Sequence, residues 1–433
     1  MNRCFGSIGI KTVTLLCISM MSTMTLRAQQ YEKYFTDETL RIDYTFSGDA
    51  YQQQIAVDQL NKSPHWYGKR QRLCEVPIEG NGQIIVCDHH SKEVIYRNSF
   101  STLFQEWLTY DEAKYIKKSF ENVFLVPMPK DTVDVTVVLN NNYRKEMTSM
   151  THTVIPSDIL IRRIGEGDIT PYATLLPAKD PEHCIHIAYI SEGYQEQEMD
   201  VFLNDVNIAM ESLFAHEPFK TMKDRFNIVA VKAPSKDSGT SEPAKGIWKN
   251  TALHSHFNTF YSDRYLTTLH LKDLHDWLAG IPYEHIIILV NSEHYGGGGI
   301  LNSYNLTSTH HSRYRPVVVH EFGHSFCGLG DEYAYESEDL PMYPPEVEPW
   351  EPNLTTLKEF YGKWQDMMDA KTPIPTPTMD IYINKVGVYE GGGYSLKGVY
   401  RPMQDCRMRT NEYPEFCPVC HRALVRLIDF YTK

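Results

Sequence analysis

Two histidines four positions apart, His320 and His324, enclose a carboxylate, Glu321, in the string His320-Glu321-Phe322-Gly323-His324. On a helix, positions i and i+4 share a face, so both imidazoles can aim at one point. Neutral imidazole is a good zinc ligand, and a carboxylate beside such a pair can face a zinc-activated water and act as its base. The spacing therefore points to metal-assisted hydrolysis. Two hard oxygen donors, Asp331 and Glu332, follow closely, and either could join the histidines.

The elements that must position these groups are legible around them. Val317 to Phe326 reads as a buried helix with Pro316 in its first turn. Gly328 and Gly330 supply the conformational freedom to stop it and turn the chain back. Upstream, apolar strands at Cys184–Ile190, Phe226–Val231 and His285–Asn291 alternate with helical patterns at Gln195–Phe214 and Asp263–Leu278, as in an α/β layer. The glycine run Gly296–Gly299 implies close backbone approach or unusual φ/ψ, and a strand resumes over Ile300–Thr307. No Lys-Ser or Lys-Thr follows the glycines, which excludes a phosphate-binding loop. His310 and His311 are expected in a loop beside the helix. Tyr335–Pro352 is acidic, rich in proline, and expected to be a solvated loop.

The first part of the chain has a different pattern. Strand-like runs at Leu40–Phe46, Gly68–Val76, Gln83–Asp88, Glu93–Asn98 and Val133–Leu139 are separated by turn residues, with one helical insert at Thr102–Lys118. The expected class is α+β: an N-terminal β-sandwich domain over 29–150, a connection over 151–180, and an α/β catalytic domain over 181–433. Residues 1–28 read as a secretory signal peptide, with Arg3 and Lys11 before the apolar stretch Val13–Met24. That stretch is too short for a stable membrane span and no other is longer, so the expected mature protein is exported, with no transmembrane span: secreted, periplasmic or at the cell surface. A formal charge of -13 over 433 residues argues against a nucleic-acid partner.

Seven cysteines lie beyond the signal segment, an odd number. Cys74 and Cys87 flank a hairpin signal at Glu79–Gly82 and could be bridged or remain thiols. Cys327 is expected to pack. Cys417-Pro418-Val419-Cys420-His421 admits a disulfide or buried thiols, a structural zinc site with Cys406 and His421, or a haem c attachment.

The stretch HEFGHSFCGLGDEY, residues 320–333, is similar to the metzincin pattern with one residue inserted in the turn and Asp in place of the last His. It closely resembles the bacterial M64 family of metallopeptidases, named for an immunoglobulin A peptidase. The resemblance implies a metzincin-like catalytic domain behind an N-terminal β domain, and endopeptidase activity on protein substrates, with immunoglobulin A or other extracellular glycoproteins as candidates. It further implies Zn2+ held by His320, His324 and Asp331, with Glu332 as the alternative third ligand, and Glu321 as general base. Gly297, Gly298, Gly299 and Ile300 would bind substrate backbone, and Met408, in Cys406-Arg407-Met408-Arg409, would be the Met-turn residue. Tyr333 or Tyr413 could assist the oxyanion. The rival reading is a secreted binding protein with a structural or vestigial zinc site.

Overall fold

The computed structural model describes residues 31–335 and 342–433; the segment read as a signal peptide and residues 336–341 of the acidic stretch lie outside them. Period-two alternation sets the first sheet. In β1 (Phe35–Gly48), Leu40, Ile42, Tyr44 and Phe46 fall on one face and are fully buried. β1 pairs antiparallel with β2 (Gln53–Pro64) and β5 (Lys118–Pro129), and β2 pairs parallel with the short β8 (Arg162–Arg163). A second sheet holds β3 (Gly82–Asp88), β4 (Val94–Phe100), β6 (Val133–Asn140) and β7 (Glu146–Val154), in the order β4-β3-β6-β7. Their inward residues form one core in which the Phe100 and Phe124 rings lie 4.3 Å apart and both contact Phe46.

The insert expected at Thr102–Lys118 is shorter. Helix α1 spans Leu103–Trp107, a 3-10 turn covers Asp111–Lys114, and the chain enters β5 at Lys118. The apolar stripe ends at Trp107, since Tyr115 is exposed. The strand expected at Gly68–Val76 is irregular. Lys69 turns inward there and donates to the Glu75 and Arg97 carbonyls, and Arg72 takes a left-handed φ of 51°, so no ladder can run through. Cys74 sits in that segment, its thiol donating to the Val94 carbonyl, while Cys87 lies in β3; both are free thiols.

The third sheet carries the functional elements. β9 (Tyr172–Leu176), β10 (Ile185–Glu192), β11 (Phe226–Val231), β12 (His285–Val290), β13 (Gly297–Ile300) and β14 (Tyr304–Ser308) are ordered β13-β14-β12-β10-β11-β9. β10, β11, β12 and β14 run parallel, and β9 and β13 are antiparallel edges. β10 and β12 are buried along their whole length, as central parallel strands must be. Ile185, Ile187 and Tyr189 face α2 (Met199–Phe214), α4 (Tyr314–Cys327) and α5 (Pro418–Thr432). Ala188 and Ile190, on the opposite face, join the core of the first two sheets, to which α3 (Leu271–Trp277) also contributes. The buried pair Arg41–Asp43 of β1 extends to Asp276 of α3 and fastens the two regions together.

Two expectations need correction here. The helix at Asp263–Leu278 begins only at Leu271, because Tyr265 and Thr267 are held in extended bridges to Gly297 and His256. The strand at Ile300–Thr307 is a hairpin, with a turn between β13 and β14 and Asn302 in a left-handed conformation. A small two-stranded sheet, β15 (Tyr389–Gly392) and β16 (Ser395–Arg401), completes the fold. No helix of the described residues is long and apolar enough to cross a membrane.

β13 lies directly on α4, and the glycines make that approach possible. A Cβ on Gly299 would fall 2.4 Å from the Glu321 carbonyl oxygen, and one on Gly297 would fall 2.7 Å from Glu321 Oε1. Gly299→Ala should therefore destabilise the fold by ~1–3 kcal/mol through overpacking against backbone. Gly362→Ala is the control, since a Cβ there meets nothing within 4 Å. Denaturant midpoints check this; equal midpoints for the two variants would show that β13 does not depend on its glycines.

Candidate active site

Helix α4 buries Val318, Val319, Phe322 and Phe326 and leaves His320, Glu321 and His324 half-buried toward a cleft of about 810 Å³. Its end is set by Gly328, which takes a left-handed φ of 58° and returns the chain over the last turn. The Leu329 carbonyl thereby accepts from His324 Nδ1, and the Arg407 carbonyl, 3.0 Å from His320, accepts from that ring's Nδ1. With each Nδ1 proton committed, both Nε2 lone pairs face the cleft, 3.0 Å apart.

The returning turn brings in the carboxylate. The Asn353 side chain accepts from the Gly330 N–H at 2.7 Å and donates to the Gly330 carbonyl at 2.8 Å. Asp331 Oδ1 then lies 3.1 Å from His320 Nε2 and 3.3 Å from His324 Nε2. Tyr394 donates its hydroxyl to Asp331 Oδ2. Asp331 Oδ1 is buried and, apart from the two imidazoles, finds no hydrogen-bond partner among the described residues, so two Nε2 atoms and one carboxylate oxygen converge on one point. Burial disfavours charge on His324, yet Asp331 and Glu321 outweigh it and hold its pKa up at about 9, so the site attracts positive charge. Two imidazole nitrogens and a carboxylate oxygen suit a divalent metal such as zinc.

Glu332 takes no part in this convergence. Successive residues of an extended chain point opposite ways, and Glu332 turns from the cleft toward Asn353 and Cys420. Of the two acids, Asp331 is the one beside the histidines.

Glu321 lies under β13. Burial raises its carboxyl pKa, against the pull of His320 and His324. Gly297, Gly298, Gly299 and Ile300 all line the cleft, although Tyr265 bridges Gly297 and covers part of the sheet's outer edge there. Met408 is fully buried beneath α4, its sulfur 2.8 Å from where a Gly323 Cβ would stand. Tyr333 lines the cleft, its ring parallel to His320 within 14°, whereas Tyr413 does not line it. His310 pairs with Asp205 and His311 packs on Tyr295, so neither joins the central pair.

Sequence reasoning missed two participants. Tyr394 comes from the turn between β15 and β16, where nothing local distinguishes it. Glu106 projects from α1 into the cleft and accepts from the Tyr265 hydroxyl at 2.6 Å; burial pushes its pKa up to about 7. The acidic, proline-rich stretch is also not a solvated loop where it is described. Glu348 and Glu351 are buried, and Glu348 accepts from the Lys358 and Glu359 N–H groups. Glu348 Oε2 also accepts from the Thr356 hydroxyl.

Two family models match the chain. The family model described as Peptidase M64 N-terminus matches residues 30–151. The one described as IgA Peptidase M64 matches residues 174–385 and 378–428 and so covers more than half of the chain. No curated protein matches it. The chain belongs to the M64 family of peptidases.

Proposed function

We propose that this M64 peptidase is a secreted zinc-dependent endopeptidase in which His320, His324 and Asp331 hold the metal and Glu321 is the general base. The observation that carries this reading is the convergence of two Nε2 atoms and Asp331 Oδ1 on one point at the cleft floor. A zinc ion bound there would supply Lewis acidity, acidifying a water and polarising a scissile carbonyl. Glu321, beside the histidines with its pKa raised by burial, takes a proton from the attacking water and returns it to the leaving amine. Tyr394 and the two backbone carbonyls behind the imidazoles hold the donor set in register.

The substrate is an extended segment of protein lying along β13, whose Gly297–Ile300 line the cleft with His320, Glu321 and His324. The half-buried Tyr333, which lines the cleft beside His320, is the residue that donates toward a developing oxyanion in this reading. The His pair, the glycine turn, the following acid and Met408 beneath the helix support a metzincin-like catalytic domain. Export rests on the signal segment at 1–28, and immunoglobulin A or other extracellular glycoproteins are the candidate substrates.

Glu321→Gln should retain zinc and lose turnover of an unfolded protein substrate by roughly 10²–10⁴-fold. Elemental analysis and a cleavage assay on the same preparation check it; unchanged turnover with zinc retained would remove Glu321 from the chemistry. Tyr394→Phe should keep the fold but weaken zinc retention by roughly 10–100-fold, read by competition with a chelator. Retention equal to wild type would show that the hydroxyl does not orient Asp331.

A further inference from the structure

Behind the cleft floor, three thiols and one carboxylate meet in a closed space. Cys406, Cys417, Cys420 and Glu332 are all buried to within 1% of full burial, and one ligand atom from each lies within 4.8 Å of the others. His421, a candidate partner from the C-x-x-C-H string, is not among them. The Cys406 and Cys420 sulfurs are 3.8 Å apart. That is too far for a disulfide, whose sulfurs sit about 2.05 Å apart. It matches the edge of a zinc tetrahedron, since bonds of about 2.3 Å place two thiolates about 3.8 Å from each other.

The surroundings are built for anionic sulfur. The Cys417 and Met408 N–H groups donate to Cys406 Sγ at 3.2 and 3.5 Å. Cys417 caps the N-terminus of α5 and Cys420 lies in its first turn, where the helix dipole favours thiolate. Glu332 Oε1 lies 3.1 Å from Cys420 Sγ and accepts from Asn353. Its other oxygen, Oε2, is fully buried and finds no hydrogen-bond partner among the described residues. A buried carboxylate oxygen without a donor is costly unless a cation answers it.

We propose that Cys406, Cys417, Cys420 and Glu332 form a second, structural metal site of the zinc-thiolate class, separate from the donors in the cleft. The four ligands come from three segments: the turn after α4, the Cys406–Met408 stretch and the start of α5. A cation here clamps together the segments that carry Asp331 and the Arg407 carbonyl. The site is closed and four-coordinate, with no open position for substrate, as structural zinc sites are. It stands independently of the hydrolytic reading.

The test is metal content of the purified full chain and of His324→Ala, followed by cobalt exchange. Wild type should hold about two zinc ions per chain and His324→Ala about one. Cobalt replacing the ion in His324→Ala should give a thiolate-to-cobalt charge-transfer band in the near ultraviolet. One ion in both proteins, with that band, supports the cysteine site and overturns the cleft ligand set instead. One ion in wild type and none in His324→Ala overturns the second site. So does retained cobalt without the band, which places the ion on other ligands. A disulfide mapped to Cys406, Cys417 or Cys420 in an unreduced peptide digest also overturns it. None of these readouts requires a cysteine variant that could fail to fold.

Discussion

Three lone-pair donors cannot sit 3.0 to 3.3 Å from one another unless each is held from behind. Left alone, two imidazoles and a carboxylate would rotate toward water or toward protons. Here every outward rotation is blocked by a specific bond: His320 to the Arg407 carbonyl, His324 to the Leu329 carbonyl, Asp331 to Tyr394. The rest of the fold can be understood as the supply of these restraints. The left-handed residue after α4 returns the Leu329 carbonyl, Asn353 fixes the turn that follows, and β13 closes over the helix only because it carries glycine where any side chain would strike Glu321.

The stretch Cys406–Met408 gathers most of this support. Its middle carbonyl orients an imidazole, its last carbonyl accepts the Glu332 N–H at 2.9 Å, and its first sulfur accepts two backbone N–H groups. Asp331 and Glu332, adjacent on the chain, face opposite sides of this strut. One looks into the cleft and the other into the cysteine cluster. The alternation of an extended backbone thus gives two neighbouring carboxylates two separate environments.

How much of this was legible in the sequence depended on whether the cause was local. Helical spacing of His320 and His324 and the apolar runs of β10, β11 and β12 needed only local pattern, and the elements formed where expected. The glycine run was legible as close approach, although what it approaches, Glu321 and His324, was not. Choosing between Asp331 and Glu332 required the path of the turn, which Asn353 sets from outside the motif. Cys406, Cys417 and Cys420 could be grouped from the sequence with His421 as a possible partner; that Glu332 and not His421 meets the three thiols depends on where α5 starts beside the Met408 segment. Glu106 and Tyr394 were invisible for the same reason. The helices at Thr102–Lys118 and Asp263–Leu278 extend less far than their pattern suggests because aromatic residues outside them, Tyr110 and Tyr265, pack on Phe260 and imitate an amphipathic stripe.

The order of these parts along the chain has a temporal meaning. Glu106, on one wall of the cleft, meets Tyr265 across 159 residues, and the carbonyl that orients His320 comes from a residue 87 positions later than the histidine. A chain emerging N-terminus first makes the wall long before the floor, and makes the floor before its strut. The histidines therefore exist on the nascent polypeptide without their final orientation until Arg407 has been added and has docked. Assembly of the donor triad is a late event by construction, and the unfinished chain carries its two histidines unaligned while the residues between them and Arg407 are added.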